Sequence, residues 1–388
     1  MTRRLCMLVH GPYPVGEPRV AREAAAARAA GWDVDVMATR REGEPAFERV
    51  DGVAVYRLPI AHRRGLSLLG LIREYVGFTL LATWRLAGAH LRHGYDVVHV
   101  HNPPDFLVAA ALIPRLAGAK VVFDVHDLSS DMFEMRRGDG KPMPVASALL
   151  KAFERSAARA ANVVVTVHEP YRRELIKRGV AAKKLLVVMN TVDERLLPRR
   201  VEQSEDPFRI VYHGSITPPY GVEVLLDAFV RVRELVPRAQ LEVYGEGDLV
   251  RRLRSRVAAA GLANAVVLPG EYLPHRETLA KVNGASVGVV PNLPTRLNRF
   301  ALSSKLFEYV ALGIPVACSR LPTLATYFSD EDVRFFEPGD PESLAAAIVE
   351  IAGAPQEATR RAQNASARYE QYRWSVNADR YVRALADL

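Results

Sequence analysis

The feature that most constrains the fold of this chain is a repeated alternation of short apolar runs with longer helical segments. Runs such as residues 5–10, 97–101 and 121–126 are almost continuously apolar and rich in valine, which is typical of strands that are buried on both faces. The segments between such runs, for example residues 19–30, are rich in alanine and arginine and are typical of helices. This alternation predicts an α/β protein with doubly wound parallel sheets.

The pattern restarts once along the chain. Residues 196–207 are polar and bounded by proline, as linkers often are, and the segment FRIVYHG that follows has the character of a new first strand. The sequence therefore predicts two Rossmann-like domains, an N-terminal one over residues 1–195 and a C-terminal one over residues 208–368. The last residues, 369–388, are helical by pattern and are predicted to pack back on the N-terminal domain. Ligands of such sheets bind beyond the carboxyl ends of the strands, so we expect a cleft where the two domains face each other.

Composition restricts the class of protein. The 388 residues are 49% hydrophobic and 25% charged, which is typical of folded globular proteins. Cys6 and Cys318 are the only cysteines and form no CxxC pair, so neither a disulfide framework nor a zinc site is indicated and a reducing cytoplasm is favoured. We find no apolar segment of the length that spans a bilayer, and the first residues lack the pattern of a signal peptide.

The net charge of +8 is partly concentrated in residues 57–93, which contain six arginines and one glutamate among many apolar residues. Two interpretations stay open. The region can be a basic amphipathic surface that makes peripheral contact with an anionic membrane, or a helix that packs on the core with solvated arginines. Nucleic-acid binding is not indicated, because no basic stripe with interleaved aromatics occurs. The oligomeric state cannot be derived from these patterns.

The segment SSKLFEYVALGIPV gives the strongest indication of a ligand. A loop that includes Leu302 enters a predicted helix at Ser303 or Ser304, and Lys305 lies in the first turn. The N-terminus of a helix binds phosphate well, and a lysine would reinforce that site. Glu308, three residues further on, can accept hydrogen bonds from the hydroxyls of a ribose. One element would then hold the diphosphate and ribose of a nucleotide-sugar; the alternative is an ordinary helix with serine caps and surface charges.

Strand ends in the N-terminal domain carry candidates for contact with a sugar or an acceptor. VFDVHD places His126 and Asp127 at the carboxyl end of a buried strand, where a histidine can donate to a sugar hydroxyl or stabilise charge. HNPPDF places His101 and Asn102 at another strand end, where they can line an acceptor pocket. Arg19, at a helix start, is suited to an anion. For His126, the alternative is a histidine capped by the local backbone.

Glycine turns after other strands are further candidates, because glycine lets a ligand approach the backbone closely. They occur in the segments GPYPVG, HGS and YGEGD, and the backbone of GEYLPHRE can read the edge of a nucleobase. A GxGxxG fingerprint is absent, and for the first loop a plain tight turn is the alternative. The positions predicted to contact the donor in these segments are Gly16, Gly214, Ser215, Gly245, Glu246 and Tyr272.

Taken in order, GPYP, VDGVAVYRLP, DVVHVHNPPDF, VVFDVHD, VVMNTVDE, VYHGS with YGVEVLLDAF, VYGEGD and SKLFEYVALGIPV resemble bacterial family 4 glycosyltransferases of the GT-B fold. The resemblance covers nearly the whole chain. It implies that the donor binds the C-terminal domain and the acceptor the N-terminal domain. The implied reaction is the retaining transfer of a hexosyl group from a UDP- or GDP-sugar to a hydroxyl of a glycan, glycolipid or natural product. The resemblance implies that no metal or other cofactor is required, and it suggests a role in polysaccharide biosynthesis.

The chain departs from the family pattern at several positions. Glu308 matches the second glutamate of the E-x7-E motif, but Phe300 stands where the first would be. Ser215 and Tyr220 stand where the family often has an arginine and a lysine that bind the diphosphate. The resemblance is closest to a subgroup with K-FEY in place of the full motif.

Lys305, with Arg296 or Arg299, is expected to replace the missing cations. His126 matches the family's cleft histidine, thought to lie near the transferred sugar, so Lys305 and His126 are the predicted catalytic residues. Two other functions stay open: a non-catalytic nucleotide-sugar-binding subunit of a partner transferase, and a GT-B nucleotide-sugar epimerase. Turnover of the donor would separate a binding subunit from an enzyme.

Overall fold

The computed structural model describes residues 2–61, 67–137, 143–201 and 206–388. The chain forms two compact units: unit 1 is Met1–Asn190 with Val376–Leu388, and unit 2 is Thr191–Ser375. The boundary that the sequence predicted at 195–208 thus lies between Asn190 and Thr191. The C-terminal segment joins unit 1 from Val376 rather than from residue 369.

Unit 1 is built on one parallel sheet with a single antiparallel strand at its edge. In chain order its elements are β1 (Arg4–Val9), α1 (Pro18–Ala29), β2 (Asp33–Thr39), β3 (Phe47–Val50), β4 (Val53–Leu58), α2 (Leu68–His93), β5 (Val97–His101), α3 (Leu112–Leu116), β6 (Lys120–Val125), α4 (Ser129–Arg137), α5 (Pro144–Ala160), β7 (Val163–Thr166), α6 (Glu169–Lys177) and β8 (Leu185–Val187). The strand order is β3-β4-β2-β1-β5-β6-β7-β8, and only β3 runs antiparallel to its neighbour. A 3-10 segment, Asp105–Ala111, connects β5 to α3.

The central strands of unit 1 follow from their apolar sequence. Every residue of β5 is buried, and β6 is buried from Val121 onwards, because helices cover both faces of such a sheet. The register places Leu5 beside Val34 on one side and Val97 on the other. Parallel strands align their carboxyl ends, so the loops after β1, β5 and β6 emerge at one edge of the sheet.

Unit 2 repeats this architecture with a smaller sheet. Its elements are β9 (Phe208–His213), α7 (Val222–Leu235), β10 (Ala239–Tyr244), α8 (Val250–Ala259), β11 (Val266–Val267), α9 (His275–Val282), β12 (Val287–Val290), α10 (Ser304–Ala311), β13 (Val316–Ser319), β14 (Arg334–Phe336), α11 (Pro341–Gly353) and α12 (Pro355–Tyr369). The strand order is β11-β10-β9-β12-β13-β14, and all pairs are parallel. The loops after β9, β10 and β12 therefore share one edge.

The last helix, α13 (Trp374–Ala386), belongs to unit 1 from Val376 onwards. The Oδ1 atom of Asn377 accepts a hydrogen bond from the Met189 backbone N–H at 2.8 Å. The Tyr381 hydroxyl lies 2.9 Å from His99 Nδ1 in the sheet interior. Among the described residues, no helix combines the length and the apolar character needed to cross a membrane.

Candidate active site

A buried ionic cluster lies at the carboxyl edge of the unit 1 sheet, with Asp124 of β6 at its centre. The Oδ2 atom of Asp124 lies 2.8 Å from Arg19 Nε, 3.1 Å from His126 Nε2 and 3.3 Å from His101 Nδ1. Burial alone would raise the pKa of this carboxyl, but Arg19 and His126 outweigh burial and hold it well below its usual range. In the same way burial opposes protonation of His126, and the Asp124 charge overcomes it and raises the pKa of the imidazole.

Arg19, predicted to meet an anion of the acceptor, is instead a structural anchor. Its side chain is 5% exposed. Its Nη2 atom lies 3.1 Å from Asp124 Oδ1 and 3.1 Å from Glu23 Oε1, and its Nη1 atom donates to the Val188 carbonyl at 2.7 Å. Because these groups take up its charge and its donors inside unit 1, the prediction is corrected: Arg19 holds the Asp124 carboxylate rather than a ligand.

His101 and Asn102, also predicted to bind the acceptor, lie beneath the surface. His101 is fully buried, its Nδ1 atom is 3.0 Å from His126 Nε2, and burial lowers its pKa to about 4. The Asn102 amide donates at 2.8 Å to both Asp105 and the Asp127 carbonyl, and its oxygen accepts from the His126 backbone N–H at 2.8 Å. Both residues therefore fix the turn that carries His126, and neither is placed to contact an acceptor.

His126 and Asp127 remain accessible at this edge. The His126 side chain is 15% exposed, and Asp127 is half-buried. Burial raises the pKa of Asp127, and neighbouring His126 opposes the shift. Since the Nε2 atom of His126 faces Asp124 and His101, Nδ1 is the ring nitrogen that can face a ligand.

Gly16, predicted to contact the donor, belongs to the loop between β1 and α1 of unit 1. Its N–H donates to the Pro12 carbonyl at 2.8 Å, and a Cβ at this position would lie 2.6 Å from Pro12 Cγ. Glycine is thus needed for the tight turn, which was the alternative interpretation. The other predicted donor contacts all lie in unit 2, and contact between Gly16 and the donor remains a prediction.

Four buried side chains of this cluster could in principle hold a metal ion. The ligand atoms of Glu23, His99, His101 and Asp124 lie within 4.8 Å of one another. However, the guanidinium of Arg19 already contacts both carboxylates. A second cation at this place would stand next to a fixed positive charge. We therefore interpret the cluster as an ionic network that orients His126.

In unit 2, α10 begins at the carboxyl edge of the sheet and presents the predicted phosphate site. Ser303 occupies the N-cap position, but its side chain makes no capping bond, and its Oγ atom is buried without a hydrogen-bond partner in the described structure. Ser304, at the first helical position, is exposed. Unsatisfied donors at a helix start are suited to an anion.

Lys305 and Glu308 lie on a helix that is buried almost throughout. Their relative exposures are 7% and 4%, so the alternative interpretation of a surface lysine and a surface glutamate is wrong. Burying two charged groups is costly unless each has a partner or a ligand. Their surroundings therefore decide what α10 does.

The Lys305 ammonium lies over the HGS turn between two aromatic rings. Its Nζ atom is 4.7 Å from the centre of the Tyr220 ring and 5.2 Å from that of Tyr212, and 3.2 Å from where a Cβ on Gly214 would be. Burial lowers its pKa to about 8, and Glu308 partly opposes the shift. Lys305 makes no ion pair within the described residues. Its charge is therefore stabilised by two rings and is not neutralised.

Glu308 is held by two imidazoles. Its Oε2 atom lies 3.1 Å from His213 Nε2, and its Oε1 atom lies 3.3 Å from His275 Nε2. Burial opposes ionisation, but the two histidines outweigh it and lower the pKa of Glu308 below its usual range. The carboxylate is thus ionised and oriented, and its contact with a ribose remains a prediction.

The two glycine turns of unit 2 pack against each other through their backbones. The Gly214 N–H donates to the Tyr244 carbonyl at 2.9 Å, and a Cβ on Gly245, whose φ is +138°, would lie 2.0 Å from the Gly214 oxygen. Ser215 and Glu246, at the tips of the turns, are exposed. The structure therefore brings Gly214, Ser215, Gly245, Glu246 and Lys305 to one edge of this sheet.

The remaining predicted residues occupy loops of unit 2. Tyr272 is 67% exposed in the loop before α9, and Leu302 is half-buried in the loop before α10. Phe300 is half-buried, with the Arg299 guanidinium 5.0 Å from its ring centre. Arg296 and Arg299 are exposed, and their role as replacements for the missing cations remains a prediction.

Sequence reasoning did not assign a role to the histidines that hold Glu308 or to the aromatic pair that flanks Lys305. His213 directly precedes the HGS turn glycine, so its position at the end of β9 was an available signal. His275 begins α9 and carries no comparable signal. Tyr220 was noted only as a missing lysine, whereas its ring contacts the lysine that is present.

Two family models match this chain. The glycosyl transferase 4-like domain matches residues 16–191, and the glycosyl transferases group 1 domain matches residues 207–353. The chain belongs to the GT4-like glycosyltransferases.

Curated relatives of this GT4-like glycosyltransferase are themselves named as glycosyltransferases. It is 26% identical over 384 residues to a D-inositol 3-phosphate glycosyltransferase of Stackebrandtia nassauensis, an alignment that spans 93% of this chain and 83% of that protein. It is 22% identical over 308 residues to a chitobiosyldiphosphodolichol beta-mannosyltransferase of Candida albicans, which spans 73% of this chain and 66% of that protein.

Solved structures of similar fold cover the whole chain. Sucrose-phosphate synthase from Thermosynechococcus elongatus has a TM-score of 0.77 at 19% identity and covers 99% of this chain and 98% of that one. The Anabaena protein HepE in complex with UDP-glucose has a TM-score of 0.71 at 16% identity, covering 99% of this chain and 100% of that one. These likenesses, with the two parallel-sheet units, confirm the predicted GT-B fold.

Proposed function

We propose that this glycosyltransferase is a metal-independent retaining enzyme that moves a hexosyl group from a UDP- or GDP-sugar to a hydroxyl acceptor. The observation that carries the proposal is the buried Lys305 ammonium at the start of α10, which forms no ion pair within the described residues. A buried charge of this kind is stabilised by an anionic ligand. The donor assignment is also supported by the similar fold solved with UDP-glucose.

The diphosphate of the donor binds where Lys305, the Ser303 hydroxyl and the first N–H groups of α10 converge. As the bond to the anomeric carbon breaks, negative charge develops on the leaving diphosphate. Fixed donors and a buried ammonium stabilise that charge, and loss of one such donor typically costs about 10²–10³ in rate. In this proposal Lys305 is the catalytic residue of unit 2.

Glu308 accepts hydrogen bonds from the ribose of the donor. Its two oxygens are already oriented by His213 and His275, so the carboxylate needs little reorganisation when a diol binds. The loop that carries Tyr272 contacts the base, and the turns at Gly214 and Gly245 contact the phosphates and the sugar.

His126 acts in unit 1 as a donor to a substrate hydroxyl through Nδ1. Asp124, held by Arg19, keeps the ring orientated and favours its protonated form. The acceptor hydroxyl binds beside Asp127, whose half-buried carboxyl directly follows His126 in the chain. We assign no carboxylate as a covalent nucleophile, and a front-face transfer assisted by the leaving phosphate accords with the retaining proposal.

We further propose that the chain represents the K-FEY subgroup. Lys305 then takes the place of the two family cations that are missing at Ser215 and Tyr220. The Tyr220 ring supports this exchange, because it stabilises the ammonium that replaces the usual pair. Because Phe300 replaces the first glutamate of the E-x7-E motif, a non-catalytic nucleotide-sugar-binding subunit stays a second candidate function.

The proposal is tested by donor binding and turnover. The protein is titrated with UDP-glucose, UDP-N-acetylglucosamine, UDP-galactose and GDP-mannose by calorimetry, and then incubated with each bound donor and a panel of hydroxyl acceptors, with and without EDTA. We expect one donor to bind and turn over equally in EDTA, with the anomeric configuration kept in the product by NMR. Inversion of the configuration or dependence on a metal would correct the mechanism.

Two variants locate the site. Lys305→Ala is expected to lower turnover by about 10²–10³. Lys281→Ala, which removes an exposed lysine whose ammonium lies 5.7 Å from the Tyr244 ring centre, is the matched control and should leave turnover unchanged. Binding without turnover would favour the non-catalytic subunit, and conversion of the donor without acceptor would favour an epimerase. Failure to bind any nucleotide would refute all three.

A further inference from the structure

Exposed apolar side chains gather on the solvent face of α2 in unit 1. Leu69, Leu80 and Trp84 are 65%, 67% and 73% exposed, whereas Phe78 and Leu86 of the same helix are fully buried. The exposed stripe repeats every three or four residues over most of the helix, which places it on one face. It consists of Leu69, Ile72, Val76, Leu80, Trp84 and Leu91.

Two helices that neighbour α2 through a shared segment also carry exposed apolar side chains. Both α2 and α5 pack against the segment Asp105–Ala111, and α3 continues directly from it. Leu116 of α3 is 80% exposed, and Val145 and Leu149 of α5 are 81% and 55% exposed. We call the solvent-facing side of α2, α3 and α5 the apolar platform. Exposed apolar surface of this extent marks an interaction site rather than ordinary solvent contact.

The charges on these three helices are sorted by sign. Their only acidic residues, Glu74 and Glu154, have buried side chains, with a Glu74 oxygen 3.0 Å from His10 Nε2 and a Glu154 oxygen 3.2 Å from Arg178 Nη1. Every exposed charged side chain on the three helices is basic: Arg73, Arg85, Arg92, Arg115, Lys151, Arg155 and Arg159. The exposed side chains of these three helices are therefore either uncharged or basic.

We propose that the apolar platform docks on the surface of an anionic lipid bilayer. Leucine and tryptophan side chains enter the boundary between headgroups and acyl chains, while arginine and lysine meet the lipid phosphates. A second copy of this chain is a poor occupant, because two positive platforms would face each other. The proposal keeps the α2 part of the predicted 57–93 region and adds α3 and α5. Residues 62–66 of that region lie outside the described residues.

The test uses the full-length protein and large unilamellar vesicles in a flotation assay. One set of vesicles is phosphatidylcholine alone, and the other contains about 30% phosphatidylglycerol to supply anionic charge. We expect binding to the anionic vesicles that weakens strongly between about 0.1 M and 1 M salt, because the Debye length falls from about 10 Å to about 3 Å. Each basic residue removed should lower the partition coefficient by about fivefold.

Variants separate the two contributions. Leu80→Ser with Trp84→Ser and Leu116→Ser should lower partitioning by at least about tenfold, whereas Leu235→Ser, at a 56% exposed leucine of α7, should have no effect. Arg73→Gln with Arg115→Gln should lower it by about 25-fold, and the matched pair Arg238→Gln with Arg251→Gln should not. The altered residues are exposed, so the midpoint of thermal unfolding should stay within a few degrees; if the apolar triple variant does not fold, the arginine pair still decides.

Three outcomes would overturn the proposal. The first is a wild-type protein that does not float with anionic vesicles, or floats equally with neutral ones. The second is unchanged partitioning in both sets of variants. The third is a dimer of the wild-type protein, detected by analytical ultracentrifugation, that the three apolar substitutions dissociate and that added vesicles do not dissociate. The platform would then cover a second copy of the chain.

Discussion

Arg19 of unit 1 and Lys305 of unit 2 occupy the same position in their helices, but only Arg19 is paired with carboxylates within the described residues. Each is the second residue of a helix that starts at the carboxyl edge of a parallel sheet, and each is buried. Opposite Arg19, β6 places Asp124, and the guanidinium is fully engaged. Opposite Lys305, β9 ends in the Gly214 turn. Within the described residues the ammonium contacts two aromatic rings and forms no ion pair, although Glu308 on the same helix partly stabilises its charge.

In these two helices, the cation is part of an ion pair where the neighbouring strand places a carboxylate beside it, and it stays available to a ligand where the strand ends in a glycine turn. A carboxylate on that strand converts the cation into part of the core. A glycine turn leaves its charge available. Four experiments can break or sharpen this comparison.

The largest effect is expected for Asp124→Ala. It leaves the Arg19 charge buried without its main partner, and breaking a buried pair in this way typically costs about 3–5 kcal/mol in the free energy of unfolding. Urea unfolding measures the change. Lys305→Ala removes a buried charge that has no such partner, so it should leave stability unchanged or raise it. Equal losses in both variants would mean that Lys305 is structural as well.

A smaller effect is expected for Glu308→Gln. The variant keeps the shape of the side chain but loses the charge that accepts from a ribose, and hydrogen bonds to a charged group contribute about 1.5–3 kcal/mol. Calorimetry should show UDP affinity lowered by about 10- to 100-fold. UDP lacking both ribose hydroxyls should bind the wild type and the variant alike. If the variant also discriminates between the two nucleotides as the wild type does, Glu308 does not hold the ribose.

The pH dependence of UDP binding should reveal the state of Lys305. Its pKa is lowered to about 8 by burial, so the ammonium that binds phosphate is present below pH 8 and is lost above it. Affinity should therefore be flat up to about pH 7.5 and fall about tenfold by pH 9. Lys305→Arg keeps its charge over this range and should give a flat curve. A wild-type curve as flat as that of the arginine variant would contradict the assignment.

The smallest effect is expected for Tyr220→Leu. Removing one of the two rings beside the Lys305 ammonium takes away a cation–π contact worth about 0.5–2 kcal/mol. The midpoint of the pH curve for UDP binding should shift to lower pH, because the ammonium is less stabilised. Tyr220→Phe keeps the ring face and should restore the wild-type curve. A midpoint that shifts equally in both variants would point to the hydroxyl instead.

The fold was largely predictable from the sequence because the residue pattern that indicates each strand or helix lies within one short segment. Valine-rich runs identify β5 and β6, and the restart at β9 indicates a second sheet. The antiparallel strand β3 was not predicted: its sequence FERV is half-exposed at the sheet edge and has no apolar run. Edge strands of this kind are set by pairing with a neighbour rather than by their own pattern.

The candidate sites were less predictable because their partners are distant in the chain. Arg19 and Asp124 are 105 positions apart, so spacing along α1 could not show that the arginine is neutralised. The burial of His101 and Asn102 was not predictable for a similar reason. Their position at a strand end does not distinguish a side chain on the surface from one beneath the turn. The helix start at Ser303–Ser304 was predicted correctly because loop, helix and lysine lie within one short segment, whereas phosphate binding there remains a prediction.

The two glycine turns of unit 2, at Gly214 and Gly245, restrict which amino-acid substitutions this protein can accept. A side chain on Gly245 would meet the Gly214 oxygen at 2.0 Å, and one on Gly247 would meet the Ile216 oxygen at 2.2 Å. Neither turn can therefore change its backbone independently of the other. Substitutions are expected to be tolerated mainly at the two exposed tips, Ser215 and Glu246. Libraries randomised at those two codons, with the glycines held constant, would vary the exposed tips while keeping the backbone contact between the two turns.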